Sequence, residues 1–317
     1  MRYLMREVQI KDLDSLLQLS RSFSLYNLSN NKLLLKKKIE ISQKSFLKKI
    51  SAFKRNYCFI LEDLKLKKII GSSQILSFSG QQYSHCYLWK KDSSFLELTQ
   101  VKTKRHQLGG LILEKAYRAS PESLGFQIGV GRFLYVKLHA KDFFDFFEAS
   151  LTSPFQEKNQ PFWLETGAKY LKQDYPQALR TYRDNYSFFI KHLPENLKVS
   201  ISSLSPPAQS CLSLVHPKTL PAYKGLLKKN FYPRRRHHLL DGAIYLENKG
   251  FTFLRKIKKY RLKFENKIQG FYFLMGQKTK KGFICSKVQA QKQGQFLKIT
   301  KTPFFTEGEE IVALSMS

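Results

Sequence analysis

Long apolar runs are missing from this 317-residue chain, and none approaches the roughly 18 uninterrupted residues of a membrane helix. Charge enters at Arg2, Arg6 and Glu7, so no apolar stretch long enough for a signal peptide forms, and a cytoplasmic protein without membrane partners is expected. Cysteine is scarce. Cys58, Cys86, Cys211 and Cys285 make no C-x-x-C pair and have no histidine at zinc-finger spacing. That excludes a disulfide framework and a structural metal, and predicts buried, reduced thiols. Acidic residues are also few, 24 against 55 lysines and arginines, for a formal charge of +31. The basic residues form no single patch: they fall at Lys36, Lys37 and Lys38, at Lys65, Lys67 and Lys68, and at Lys256, Lys258 and Lys259. Lysine outnumbers arginine roughly threefold, whereas readers of nucleic acid lean on arginine for bidentate contacts. Nucleic acid is therefore not the expected partner, while a polyphosphorylated small molecule would profit from the field.

Apolar residues make up 42% of the chain and aromatics 14%, enough for a sizeable core and more than one domain. Alternation up to Ile10 predicts a strand, Asp12 an N-cap, and Leu13, Leu16, Leu17 and Leu19 an amphipathic helix. A second helix is predicted over Leu33 to Phe53. A hairpin of Tyr57 to Glu62 with Ile69 to Phe78 follows, then a strand at Gly109 to Glu114. Ser120 and Pro121 are expected to open a helix in which Leu124, Ile128, Leu134 and Leu138 keep helical spacing. Gly125, Gly129 and Gly131 each weaken that helix by about 1 kcal/mol relative to alanine, which predicts that something packs close to its backbone. Phe143 to Ser150 and Lys169 to Leu171 read as strands around a short helix opened by Pro161. Beyond Pro176 the pattern predicts one helix over Gln177 to His192 and strands at Leu197 to Leu204 and Leu212 to Val215. The second of these runs into His216, Pro217 and a helix that Asn230 terminates. From Phe251 onward, short β runs between polar turns predict a small barrel. The expected fold class is mixed α/β (α+β).

The chemistry-bearing pattern is the strand GGLILE, a loop over Lys115 to Ser120, and a helix carrying Gly125. A loop that feeds a helix N-terminus offers unpaired amides to an anion, and Arg118 could add a charge-assisted bond to a phosphate. By itself this pattern is common. The run Arg234, Arg235, Arg236, His237 and His238 reads as a solvated surface. His85 beside Cys86 lacks the third group and oxyanion signature of a cysteine nucleophile.

In order along the chain, YCFILED…KKIIGSSQI, GGLILEKAYRASPESLG and QPFWLETGAKYL resemble the successive units of a GNAT acyltransferase. SLVHPKTLPAYKGLLKKNF repeats the closing theme, as a partial second copy would. FILED, LGGLIL, RFLYVKLH, QPFW, VHPKT, LDG and the terminal EGEEIVALSM are similar in order and spacing to the arginine N-succinyltransferase family over nearly the whole chain. The resemblance implies a GNAT-like mixed sheet flanked by helices over 1–176, a partial second GNAT-like unit over 177–250 and a small β module over 251–317. It implies transfer of a succinyl group from succinyl-CoA to the α-amine of L-arginine, with no metal and no permanently bound cofactor. His216, in the V-H-P motif, would be the proton donor. Leu111 would contact succinyl-CoA, through its backbone amide more than its side chain, and Arg118 and Gly125 belong to the expected CoA-binding loop. Homo- or hetero-oligomers are expected. Gln107 stands where members carry an acidic residue, beside Lys102, Lys104, Arg105 and His106, so a different acyl donor or amine acceptor is the alternative reading.

Overall fold

The computed structural model describes residues 1–21, 28–77, 83–90, 93–102, 105–118, 120–143, 146–155, 158–249 and 252–316. Packing separates two units, one built from Met1–Gly80, His106–Asp145 and Phe251–Ser317, the other from Gln81–Arg105 and Phe146–Gly250. The chain runs β1 (Tyr3–Glu7), α1 (Leu13–Arg21), α2 (Lys32–Phe46), β2 (Asn56–Asp63), β3 (Lys68–Leu76), β4 (Tyr83–Trp89), β5 (Phe95–Lys102), β6 (His106–Leu113) and α3 (Leu124–Leu138). It continues with β7 (Phe146–Ser150), α4 (Pro161–Thr166), α5 (Ala168–Leu171), α6 (Tyr175–Asp184), α7 (Tyr186–Lys191), β8 (Lys198–Ser200), α8 (Pro206–Ser210), α9 (Leu220–Leu227), β9 (Tyr232–His237) and β10 (Ile244–Lys249). The last segment holds β11 (Lys258–Phe264), β12 (Phe271–Thr279), β13 (Gly282–Gln293), β14 (Phe296–Ile299) and β15 (Glu310–Ser315).

The first unit contains one sheet in the order β13-β1-β2-β3-β6, and β11 to β15 close into a barrel because β12 pairs with β13 as well as β15. Both faces of β2 are covered, which explains its continuous apolar run. Cys58 and Ile60 pack with Leu16, Leu17, Leu35 and Ile39 of the two N-terminal helices. Tyr57 and Phe59, on the other face, meet Tyr135 of α3 at ring-centroid distances of 5.2 and 5.3 Å. The barrel core of Leu262, Met275, Leu297 and Ile311 also takes in Leu4 of β1. The second unit contains a sheet ordered β7-β10-β9-β4-β5-β8. Its core gathers Tyr87 and Leu96 from strands with Phe162, Trp163, Ala178 and Phe189 from helices.

Several expected elements are altered by local hydrogen bonding. Asp12 is not the N-cap of α1. It lies three residues after Gln9, accepts from the Gln9 amide at 2.7 Å and holds the Arg6 guanidinium at 2.8 and 2.9 Å. α2 stops at Phe46, and Lys48 then takes a positive φ of 57°. Residues 169–171 are helical rather than extended, since the Leu171 amide bonds back to the Gly167 carbonyl. The helix expected over 177–192 is two helices, because Asn185 leaves helical geometry and its side chain caps α7 through the Phe188 amide. Leu212 to Val215 forms a turn after α8 rather than a strand, a distinction that a short apolar run does not encode. Asn230 does end the helical segment after α9, with φ at 60°.

The glycines of α3 differ in purpose. A Cβ on Gly131 would lie 2.2 Å from Met5 Sδ and 3.2 Å from Cys285 Sγ, so this glycine lets the helix settle on β1 and β13. At Gly129 a Cβ would meet nothing within 4 Å. Gly131→Val should therefore cost about 1–3 kcal/mol through overpacking, whereas Gly129→Ala should stabilise by up to about 1 kcal/mol. Urea midpoints of the two variants measure both signs.

Candidate active site

Leu111 lies half-buried on β6, one residue after a break in the strand's ladder. Gln74 faces Gly109 and Ser72 faces Ile112, so Gly110 and Leu111 together oppose the single residue Ser73. Gly110 has φ at +58°, the left-handed geometry of a glycine bulge. A side chain there would collide with Gln74, whose Cδ would be 2.6 Å from the added Cβ. Ser72 Oγ donates to the Gly110 carbonyl at 3.0 Å and fixes the kink. A bulge leaves its extra residue out of the ladder, and so can turn a strand amide toward a ligand.

After β6 the chain makes a 3-10 turn at Lys115–Tyr117, and Arg118 Nε donates to the Leu113 carbonyl at 2.9 Å. Ser120 and Pro121 do not open the helix. Residues 120–123 form a turn closed by the Ser123 amide on the Ser120 carbonyl at 3.1 Å, and Ser123 takes φ at 56° before α3 begins at Leu124. Gly125 sits exposed in the first helical turn, and a Cβ added there would find Leu113 Cδ2 at 4.0 Å as its nearest neighbour. Leu111, Arg118 and Gly125 thus belong to one strand–loop–helix of the first unit. Ala119 lies outside the described residues.

His216 belongs to the second unit. It does not end a strand but caps a 3-10 turn over Pro217–Thr219. Its amide donates to the Thr152 carbonyl at 2.9 Å, and its own carbonyl accepts from the Thr219 amide at 2.8 Å and Thr219 Oγ1 at 2.9 Å. The Lys218 amide donates to Nδ1 at 3.1 Å. With Nδ1 occupied as an acceptor, the neutral ring carries its proton on Nε2. Partial burial, and then the Lys218 charge, lower the imidazole below its ordinary pKa.

The run Arg234 to His238 is solvated only in part, with Arg234 and Arg235 exposed and Arg236 and His237 buried. The end of β9 is buried, and there Arg236 Nη1 donates to Glu148 at 3.0 Å and Glu247 at 2.6 Å. Those glutamates are register partners on β7 and β10, and their like charges would repel without the guanidinium between them. Arg234 and Arg105 also reach Glu247, at 3.3 and 3.4 Å, and Arg236 lies 4.7 Å from the Tyr245 ring centroid. His237 is buried and pushed down to about 4 by desolvation. His85 bonds Tyr186 Oη at 2.9 Å, and burial raises the neighbouring Cys86 thiol. Two of the basic residues beside Gln107 are neutral or paired. His106 is buried against Phe143 and lowered to about 4, Arg105 is paired with Glu247, and Lys104 lies outside the described residues.

An antiparallel sheet with helices on both faces, a bulged strand, a loop running into a helix and a closed β-barrel module form the α/β architecture expected for an acyltransferase of the resembled family, although the parallel pairing expected of a mixed sheet occurs only between β11 and β14 of the barrel among the described pairings. Residues 3–249 match the family model for the arginine N-succinyltransferase beta subunit, and the chain belongs to that family. It is 25% identical over 273 residues to the arginine N-succinyltransferases of Escherichia coli K12 and Shigella dysenteriae serotype 1, covering 81% of this chain and 78% of each relative. The solved structure of arginine/ornithine succinyltransferase subunit AI from Pseudomonas aeruginosa superposes with a TM-score of 0.82 at 19% identity, over 100% of this chain and 99% of that one. The fold is shared throughout.

Removing Arg236 should expose the repulsion it offsets. Arg236→Met is expected to lose about 3–5 kcal/mol, as for other broken buried ion pairs. Burial already raises the Glu148 carboxyl despite its partner. The variant's deficit should therefore shrink as pH falls, because protonation removes the uncompensated charge. Denaturant titrations at pH 8 and pH 5 check the sign.

Proposed function

We propose that the chain transfers the succinyl group of succinyl-CoA to the α-amine of L-arginine, giving N-succinylarginine and CoA. The observation that carries this reading is the family match, which spans both the β6 bulge and the V-H-P segment. In this reaction the amine nitrogen attacks the thioester carbonyl carbon, the C–S bond breaks, and one proton leaves nitrogen while the sulfur gains one. The Leu111 amide donates to the carbonyl oxygen as negative charge collects there, the kind of preorganised donor that lowers such barriers most. The loop of Arg118 and the α3 N-terminus around Gly125 receive the CoA phosphates.

His216 serves the leaving group. Its Nε2–H hydrogen-bonds the sulfur as the thiolate forms, and the proton shed by the attacking nitrogen completes the thiol. A neutral ring suits this role, and the Lys218 contact on Nδ1 favours that form. His216→Ala should lower kcat by roughly 10²-fold or more, as loss of a proton-handling side chain typically does, with little change in KM. Unchanged thiol release from succinyl-CoA and arginine would refute the assignment. The ratio of wild-type to His216→Ala turnover should rise from acid toward neutral pH, with a midpoint below the ordinary imidazole value, because the neutral ring is the active one. A ratio that instead falls as pH rises through that range would identify the imidazolium as the working acid.

Gln107 and the buried, uncharged His106 leave acceptor choice as a measurable point. Among amino acids offered with succinyl-CoA, arginine should give the largest kcat/KM. A larger value with another amine would assign this chain a different acceptor within the same chemistry.

A further inference from the structure

Arg132 projects from α3 into the fold and is 4% exposed. Its Nη1 donates to the carbonyls of Gln74 at 3.1 Å and Gly109 at 3.3 Å, and its Nε to that of Gly129 at 3.2 Å. Gln74 and Gly109 are the register pair immediately before the bulge, one on β3 and one on β6. A single guanidinium nitrogen therefore bridges the two strands where their ladder is interrupted. Nearby, Ser73 Oγ donates to the Ile128 carbonyl at 3.1 Å, a second tie between β3 and α3 at the residue opposite the bulge.

Buried guanidinium groups are ordinarily paired with carboxylates, as Arg236 is in this same chain. Arg132 is held by carbonyl dipoles instead, and among the described residues it makes no ion pair. Desolvation lowers it to about 10, so it remains charged at neutral pH. An unneutralised buried charge is costly, and such costs concentrate where a site depends on them.

We propose that Arg132 is a positioning residue for acyl transfer, holding the Gly110–Leu111 bulge in register and placing a fixed positive charge behind the strand that receives the thioester oxygen. The proposal rests on the role given above to the Leu111 amide. It acts through that amide and touches no substrate. The planar fork of arginine donates to both carbonyls while keeping its charge, a combination that lysine reproduces in part and methionine not at all.

The test compares Arg132→Lys and Arg132→Met with Leu297→Ala, a core truncation in the barrel where Leu297 is fully buried. Thiol release, thermal midpoints and hydrogen–deuterium exchange over residues 106–113 are measured for each. Arg132→Met should lose about 10- to 100-fold in kcat with KM for succinyl-CoA within about twofold, the signature of an interaction realised in the transition state. Arg132→Lys should fall between, at about 3- to 10-fold below wild type. Exchange over 106–113 should quicken in Arg132→Met and stay at the wild-type rate in Leu297→Ala. The barrel variant should lose thermal stability while keeping its kcat at 25 °C.

A kcat loss in Arg132→Met no larger than that of Leu297→Ala, or a loss confined to KM, overturns the proposal. Should Arg132→Met fail to fold, Arg132→Lys decides, and a kcat within twofold of wild type overturns it. If the wild-type chain releases no thiol with any acceptor, the reaction assigned above fails. The positioning role in acyl transfer then falls with it, and exchange separates the two failures: a faster rate over 106–113 in Arg132→Met still shows that Arg132 holds the bulge, and an unchanged rate overturns that as well.

Discussion

Strand β1 is hydrogen-bonded on both edges, by β2 on one side and β13 on the other. The rest of the first unit depends on that arrangement. Glu7 closes the end of the seam, accepting from the Phe283 amide at 2.8 Å across 276 residues of sequence, and burial pushes its carboxyl up to about 7. The barrel and the N-terminal sheet are thereby one continuous hydrogen-bonded surface, on which α3 rests through Gly131. The bulge of β6 and the guanidinium of Arg132 meet only because α3 is seated this way. Pairings of such sequence separation carry a high loop-closure cost and slow folding. They also tie the functional strand to residues that no local pattern connects with it.

Charge is handled differently inside and outside. Exposed pairs such as Lys32 with Asp14 and Lys259 with Glu310 contribute little, because water and salt screen them. Buried guanidiniums do more. Arg236 separates two glutamates that strand pairing forces face to face, while Arg132 bridges two carbonyls at a broken ladder. In the first case charge compensates charge. In the second the cation is left with dipoles alone. The +31 excess is thus mostly a lysine-rich exterior, and the two arginines that shape the interior were hidden within it.

The hairpin of β2 and β3, the strand at β6, the glycine-bearing helix and the C-terminal barrel were all legible from periodicity. Apolar spacing reports burial, and burial on one or two faces is what separates these elements. The misread segments were short or capped. Leu212 to Val215 has the composition of a strand but pairs with no strand among the described residues, and Lys169 to Leu171 is one helical turn. Asn185 breaks a helix through a side-chain bond that composition does not announce. Among site residues, Leu111, Arg118 and Gly125 were legible as one local strand–loop–helix, and His216 through its motif. Arg236 is not legible in this way, because nothing local separates the exposed Arg234 and Arg235 from the third arginine, which β7 and β10 bury through Glu148 and Glu247.

Residue order alone determined the fold class and the family, since many short motifs in sequence carry more information than any one contact. Tertiary structure decided the roles within that frame. It made Gly110 a bulge by pairing β6 against β3, set the His216 proton on Nε2 through a neighbouring amide, and brought Arg132 under the strand. Each of these outcomes depends on hydrogen-bond partners supplied by other segments or by backbone geometry. No propensity of the residue itself records them.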